Sequence, residues 1–156
     1  MESLSIRRAT SGDANEAADL IVRMKRLNNE FDPLFAVVED AQERARRYVE
    51  SSMGSEGVLL LVCTRGKKVV GVLRAELRER RFYSPGTEGH ITDFYILPEF
   101  RRKALGNQVL DRAMKELKRM GANIITAEVP SQNEIAVRFY NKRGFRSLLQ
   151  VFARDQ

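Results

Sequence analysis

At 156 residues, 43% hydrophobic and 31% charged, the chain has the balance of one globular domain with its own core, not of a disordered segment. No apolar run reaches the ~18 residues of a membrane span, and the start MESLSIRRAT lacks the apolar stretch of a secretory leader. A single cysteine, Cys63, and a single histidine, His90, leave neither an internal disulfide nor a Zn site, and point to a reducing, cytoplasmic setting without a metal or a membrane. The net charge of +6 is concentrated: residues 101–120 hold seven Lys/Arg against Asp111 and Glu116, a field that attracts an anionic partner without naming it.

In chain order, Leu4–Arg8 reads as a strand. Thr10-Ser11-Gly12-Asp13 has the form of a capping box ahead of a helix over about 13–28, striped by Ala14, Ala17, Ala18, Ile21, Met24 and Leu27. Asn28–Val38 reads as a loop, and Ala41, Ala45, Tyr48 and Val49 mark a second helix over about 40–53. Val58–Cys63 is an apolar run expected of a strand covered on both faces. A turn at Arg65-Gly66-Lys67 leads to a long strand, Lys68–Arg78; a second turn at Ser84-Pro85-Gly86 leads to His90–Leu97. Val109, Leu110, Ala113, Met114, Leu117 and Met120 form an amphipathic helix closed by Gly121. Asn123–Val129 reads as a strand, Asn133–Lys142 as a helix ending at Gly144, and Phe145–Ala153 as a last strand. The order β-α-α-β-β-β-α-β-α-β describes an α/β domain with a mixed central sheet of six to seven strands.

The stretch PEFRRKALGNQVL joins the strand end Tyr95-Ile96-Leu97 to a helix start through a basic turn. Free amides at a helix mouth, together with the helix dipole, favour an anion, and successive turn amides can wrap a pyrophosphate. Arg101, Arg102 and Lys103 add charge, and Gly106 is expected to let a ligand approach the backbone. This stretch resembles the acetyl-coenzyme A loop of the GNAT N-acetyltransferase superfamily, Arg/Gln-x-x-Gly-x-Gly/Ala after a strand, at Arg101, Ala104, Gly106 and Asn107. Ala104 replaces the first glycine and Asn107 the final small residue. Alanine is compatible with a right-handed helical start, although its methyl group narrows the room for a pyrophosphate.

A second block, AEVPSQNEIAVRFYNKRGF, resembles the later segment of the same superfamily, Asn-x-x-Ala-x-x-x-Tyr-x-x-x-Gly-Phe, at Asn133, Ala136, Tyr140, Gly144 and Phe145. The resemblance covers about residues 4–153 and implies direct transfer of acetyl from acetyl-CoA, as co-substrate, to a primary amine. It assigns the coenzyme to Tyr95, Ile96, Leu97, Arg101, Arg102, Lys103, Ala104, Leu105, Gly106, Asn107 and Asn133. An aliphatic amine, with a pKa near ~10, must lose a proton before attack, and the departing thiolate needs an acid. By the resemblance, Tyr140 is the acid. Glu128 is the candidate base, because AEVPSQN looks like the Glu-Val-x-x-x-Asn segment of the branch that acetylates protein N-termini. Asp93 and Glu76 are rivals on strands expected to line the cleft. Glu30, Phe31, Asp32 and Asp93 suit a cationic acceptor. Cys63 reads as inert core, and His90 as a strand-face residue rather than a catalyst.

Three functional readings stay open at this level. The first is an N-acetyltransferase acting on a protein N-terminus, lysine, polyamine or small amine. The second is a nucleic-acid-binding module using the 101–120 face, disfavoured because aromatic interleaving is missing there. The third is a non-catalytic acyl-CoA sensor of the same fold. The apolar segment Leu148-Leu149-Gln150-Val151-Phe152 is expected to pair across a homodimer.

Overall fold

The structure is a computed structural model describing residues 3–156, except for the side chains of Arg102 and Lys103. Its elements are β1 (Leu4–Arg8), α1 (Ala14–Asn28), α2 (Ala41–Met53), β2 (Val58–Arg65), β3 (Lys68–Glu79), β4 (Thr87–Ile96), α3 (Leu105–Arg119), β5 (Ile124–Ala127) and α4 (Glu134–Asn141). Short 3-10 turns cover Ser11–Asp13, Pro33–Phe35 and Pro98–Lys103. The strands form one sheet in the order β1-β2-β3-β4-β5, antiparallel from β1 to β4 and parallel between β4 and β5. The α/β class and the mixed strand direction agree with expectation.

Two expectations need correction. The described residues form five strands, not six or seven, and Phe145–Ala153 is not a strand. Residues 146–156 are exposed throughout and pair with no strand among the described residues, so their β-forming composition does not make them a strand.

Adjacent β4 residues reveal the layers. Asp93 reaches Lys25 of α1 and Tyr48 of α2, whereas Phe94 meets Phe139 of α4, ring centroids 5.8 Å apart. Strand side chains alternate, so α1 and α2 cover one face and α4 the other. Helix α3 shares the α4 face, because a Cβ on Gly106 would strike Phe139. It also needs Gly89 on β4: a Cβ there would lie 3.0 Å from Leu117 Cδ1 and 3.2 Å from Ala122 Cβ. The core between the layers holds Leu59, Leu61, Leu73, Ile91, Leu105, Leu110 and Leu117, all essentially inaccessible.

The expected capping box is present. Thr10 N donates to Asp13 Oδ2 at 2.8 Å, and Arg7 grips the same carboxylate at 2.7 and 3.0 Å. The box stands on the 3-10 turn leading into α1 and ties that turn to β1.

Candidate active site

The basic turn and the start of α3 have a specific backbone geometry. Ala104 adopts a left-handed conformation, φ 56° and ψ 17°, which corrects the expected right-handed start. The turn of Pro98–Lys103 must reverse before α3 can begin, and that reversal falls on the position where the related pattern carries glycine. The first bond of α3 runs from Gln108 N to Ala104 O at 3.2 Å, so the Leu105, Gly106 and Asn107 amides lie ahead of the ladder. No side chain caps α3, whereas Asn133 Oδ1 caps α4 by accepting from Ala136 N at 3.1 Å. Such uncapped amides and the helix dipole favour an anion.

The side chains around this mouth depart from expectation. Arg101 folds back: its Nε donates to Ile96 O at 2.8 Å and its guanidinium lies 5.2 Å from the Tyr95 ring centre. The side chains of Arg102 and Lys103 lie outside the described residues. Gly106 is needed for packing rather than only for ligand approach, since its Cβ direction points at Phe139 Cε1, 3.1 Å away. Asn107 Oδ1 accepts from Arg143 Nε at 2.9 Å; Arg143 also donates to Phe139 O at 2.8 Å and stacks 3.7 Å from the Phe139 ring centre. Arg143 thus ties the end of α4 to the mouth of α3. Sequence reasoning missed it because its 36-residue separation from Asn107 carries no periodic signal.

Strands β4 and β5 part beside this mouth. Their parallel register ends at Ile91 and Ala127, with one further bond from Glu128 N to Ile91 O at 3.2 Å. Pro130 follows two residues later and cannot donate to a ladder. Beyond that point β4 continues to Ile96 paired with β3 only. Leu97 N donates to Val70 O at 2.9 Å, so it is not free to hold a ligand as expected. In an antiparallel pair alternate residues turn both backbone groups toward the same neighbour. Tyr95 therefore faces β3 like Leu97, and the backbone groups that face the gap belong to Phe94 and Ile96, of which Ile96 O is already taken by Arg101 Nε. Phe94 was missed for want of a register, which a single strand does not supply.

A polar chain lines the α1/α2 face near the end of β5. His90 Nε2 lies 2.7 Å from Glu128 Oε1, and His90 Nδ1 lies 2.7 Å from Thr126 Oγ1. Thr126 Oγ1 donates to Glu88 Oε2 at 2.5 Å. The Glu128 side chain is 59% exposed, while that of His90 is 12% exposed. Sequence reasoning treated His90 as a plain strand residue. Its partnership follows from the β4–β5 register, in which His90 pairs with Thr126.

The rival carboxylates are occupied. Asp93 is 2% exposed and meets Lys25 Nζ at 2.8 Å, Tyr48 Oη at 2.5 Å and Thr92 Oγ1 at 2.8 Å. Contrary to its expected role, its carboxylate is engaged by the protein's own side chains rather than presented to an acceptor. Glu76 is held by Arg74 at 2.7 Å and Arg78 at 3.1 Å, and the hydrogen bond from Arg74 leads in keeping its carboxyl below the usual range. Asp32 Oδ1 accepts from Leu34 N at 2.8 Å, and Glu30 is exposed beside half-buried Phe31 on the loop after α1. Tyr140 is 9% exposed between Phe139 and Phe145, ring centroids 5.3 and 5.1 Å away; burial pushes its phenol well above the ordinary value, so it keeps its proton. Cys63 is buried core, its thiol pushed up to about 11 by burial.

No helix among the described residues is long and apolar enough to cross a membrane, and no cluster of metal-ligating side chains occurs among them.

Comparison with known proteins places this geometry. The chain is 23% identical over 145 residues to an uncharacterized N-acetyltransferase of Methanocaldococcus jannaschii, covering 93% of this chain and 62% of that relative. It thus spans less than two thirds of that relative's length. A predicted acetyltransferase from Clostridium acetobutylicum, solved with acetyl-CoA, superposes with a TM-score of 0.77 at 15% identity, covering 98% of this chain and 96% of the other. An aminoglycoside N-acetyltransferase solved in complex with CoA also gives 0.77, at 12% identity over 100% of this chain and 96% of the other. At these identities the two structures establish the fold alone. The family model described as Acetyltransferase (GNAT) family matches residues 21–145, and the chain belongs to that family.

Proposed function

We propose that the protein transfers an acetyl group from acetyl-CoA directly to a primary amine. The observation that carries this reading is the junction of the parted strands β4 and β5 with the uncapped mouth of α3. The Leu105, Gly106 and Asn107 amides would hold the diphosphate, with Arg143, just past the end of α4, bonded to Asn107; Asn133 caps the other end of α4. The coenzyme arm would lie along the gap-facing backbone of Phe94 and Ile96 as an added strand does. Acetyl-CoA supplies the activated thioester when bound.

The residues of this chain would manage the protons. Glu128, exposed at the gap, takes the amine's proton directly or through water, and His90 Nε2 at 2.7 Å orients its carboxylate. This choice rests on access, since Asp93 and Glu76 are already paired. Tyr140, kept protonated by burial, would donate a hydrogen bond to the departing sulfur, and the proton that Glu128 takes from the amine balances the thiol released. The loop Glu30-Phe31-Asp32 would offer negative charge and an aromatic surface to a cationic acceptor. A nucleic-acid role has less support, because Glu116 draws Arg8, Arg112 and Arg119 into ion pairs at 3.1, 3.3 and 3.1 Å. Those pairs neutralise part of the basic face.

Thiol release from acetyl-CoA, followed over peptides of varied first residue and a panel of amines, tests the proposal. Turnover with at least one amine is expected. Tight coenzyme binding without turnover on any acceptor would favour the sensor instead, and absence of coenzyme binding would overturn both.

A further inference from the structure

Resting on the acetyl-CoA reading above, we propose that the cavity along α4 binds the 3′-phosphate on the coenzyme's ribose, so that the protein tells CoA from its 3′-dephospho form. The cavity measures about 290 Å³ and is lined by Ile135, Arg138, Phe139, Lys142 and Arg143. The first four follow the spacing of one helix face, and Arg143 continues the row past the end of α4. Two of the lining residues touch the mouth of α3. Asn107 Oδ1 accepts from Arg143 Nε at 2.9 Å, and the Cβ direction of Gly106 points at Phe139 Cε1, 3.1 Å away. The cavity thus begins where the proposed diphosphate site ends.

Its charge is one-sided. Three cations line it, and the carboxylate beside them is that of Glu134, 3.6 Å from Arg138 with both side chains largely exposed. An exposed ion pair of this kind is weak. Arg143 uses Nε on Asn107 and Nη1 on the Phe139 carbonyl, and its Nη2 has no partner among the described residues. Arg138 and Lys142 stand four residues apart on one helix face, where like charges repel. The dipole at the C-terminal end of α4 favours a cation there, but it does not offset two side by side. An anion between them does.

The chemistry selects a phosphomonoester joined to a purine nucleoside. The phosphate carries about −1.5 to −2 charges near pH 7, and its oxygens accept from a guanidinium in pairs and from an ammonium singly. Ile135, 78% exposed in the same row, offers a purine ring an apolar surface to cover. Inorganic phosphate would meet the same cations without covering it. Arg138, Lys142 and Arg143 fall on unspecified positions of the Asn-x-x-Ala-x-x-x-Tyr-x-x-x-Gly-Phe pattern, so the family resemblance gives them no role.

Calorimetry of the full chain with CoA and with 3′-dephospho-CoA tests the assignment. Wild type should bind CoA roughly 10–100-fold more tightly, the span expected of a hydrogen bond to a charged group. Arg138→Ala with Lys142→Ala should remove most of that difference by weakening CoA alone, with an unaltered far-UV spectrum. Lys142→Glu should weaken CoA further than Lys142→Ala and leave 3′-dephospho-CoA as it was. Adenosine 3′,5′-bisphosphate should compete with CoA at far lower concentration than inorganic phosphate; equal competition would reduce the cavity to an unselective anion site and overturn the assignment. Equal affinity of wild type for the two coenzymes, or a difference that survives the double substitution, would overturn it while sparing the acetyl-transfer reading. If neither coenzyme bound, that reading would fail and the assignment with it.

Discussion

Replacing Ala104 by glycine should make the protein more stable. Ala104 is the one non-glycine residue at positive φ among the described residues, and it sits at the turn on which the proposed diphosphate site is built. Left-handed backbone costs a residue with a Cβ about 1–2 kcal/mol. Glycine removes that strain but loses about 0.5–1 kcal/mol more backbone entropy on folding. The difference leaves a gain of about 0.5–1 kcal/mol for Ala104→Gly. In a domain of this size each kcal/mol moves Tm by roughly 2–4 °C, so thermal unfolding should shift upward by roughly 1–4 °C. Ala104→Val is the control: a branched side chain tolerates positive φ worse than alanine, so its Tm should fall. Calorimetry with acetyl-CoA supplies the second readout, and the glycine variant should bind at least as tightly, the methyl group being gone from the mouth. A Tm that falls for glycine and holds for valine would mean that the turn does not reverse at residue 104, and the proposed cradle would fall with it.

Other outcomes follow from the same geometry. Glu128→Gln should lower kcat by ~10²–10⁴-fold with little change in coenzyme affinity by calorimetry, the usual span for a lost general base. Tyr140→Phe should lower kcat while leaving the far-UV spectrum and coenzyme binding near wild type, because only a hydroxyl is removed from a packed aromatic cluster. Tyr48→Phe should cost about 1–3 kcal/mol in urea unfolding, since it strips a hydrogen bond from the buried carboxylate of Asp93. Asp13 is held below its ordinary 3.8, first by the hydrogen bond from Arg7. Its contribution is therefore complete above the unfolded value and is lost as pH falls through the lower folded value. Urea titrations between pH 5 and roughly 2 should show a smaller acid-side loss for Asp13→Asn than for wild type. With its thiol pushed up to about 11, Cys63 should resist alkylation at pH 8 until the protein is unfolded.

The amino-acid order alone determined most of the scaffold. Helical spacing marked α1, α2 and α3, and the unbroken apolar run marked β2, because periodicity reports which side chains must leave water. Glycine at 121 and 144 marked helix ends because each adopts a positive φ that other residues avoid. The basic turn and the Asn133–Phe145 block carried the family, since those local patterns survive without knowledge of what they pack against.

Only the tertiary structure decided what depends on distant partners. The β4–β5 register joined His90 to Thr126 and Glu128, across separations of 36 and 38 residues. The α1/α2 layer buried Asp93 and removed it from the list of accessible bases, while leaving Glu128 in the open. Antiparallel pairing to β3 took the Leu97 amide and left Phe94 and Ile96 facing the gap. The same physics explains the last segment: composition can make a stretch fit to be a strand, but a strand exists only where another edge receives its hydrogen bonds, and among the described residues none does.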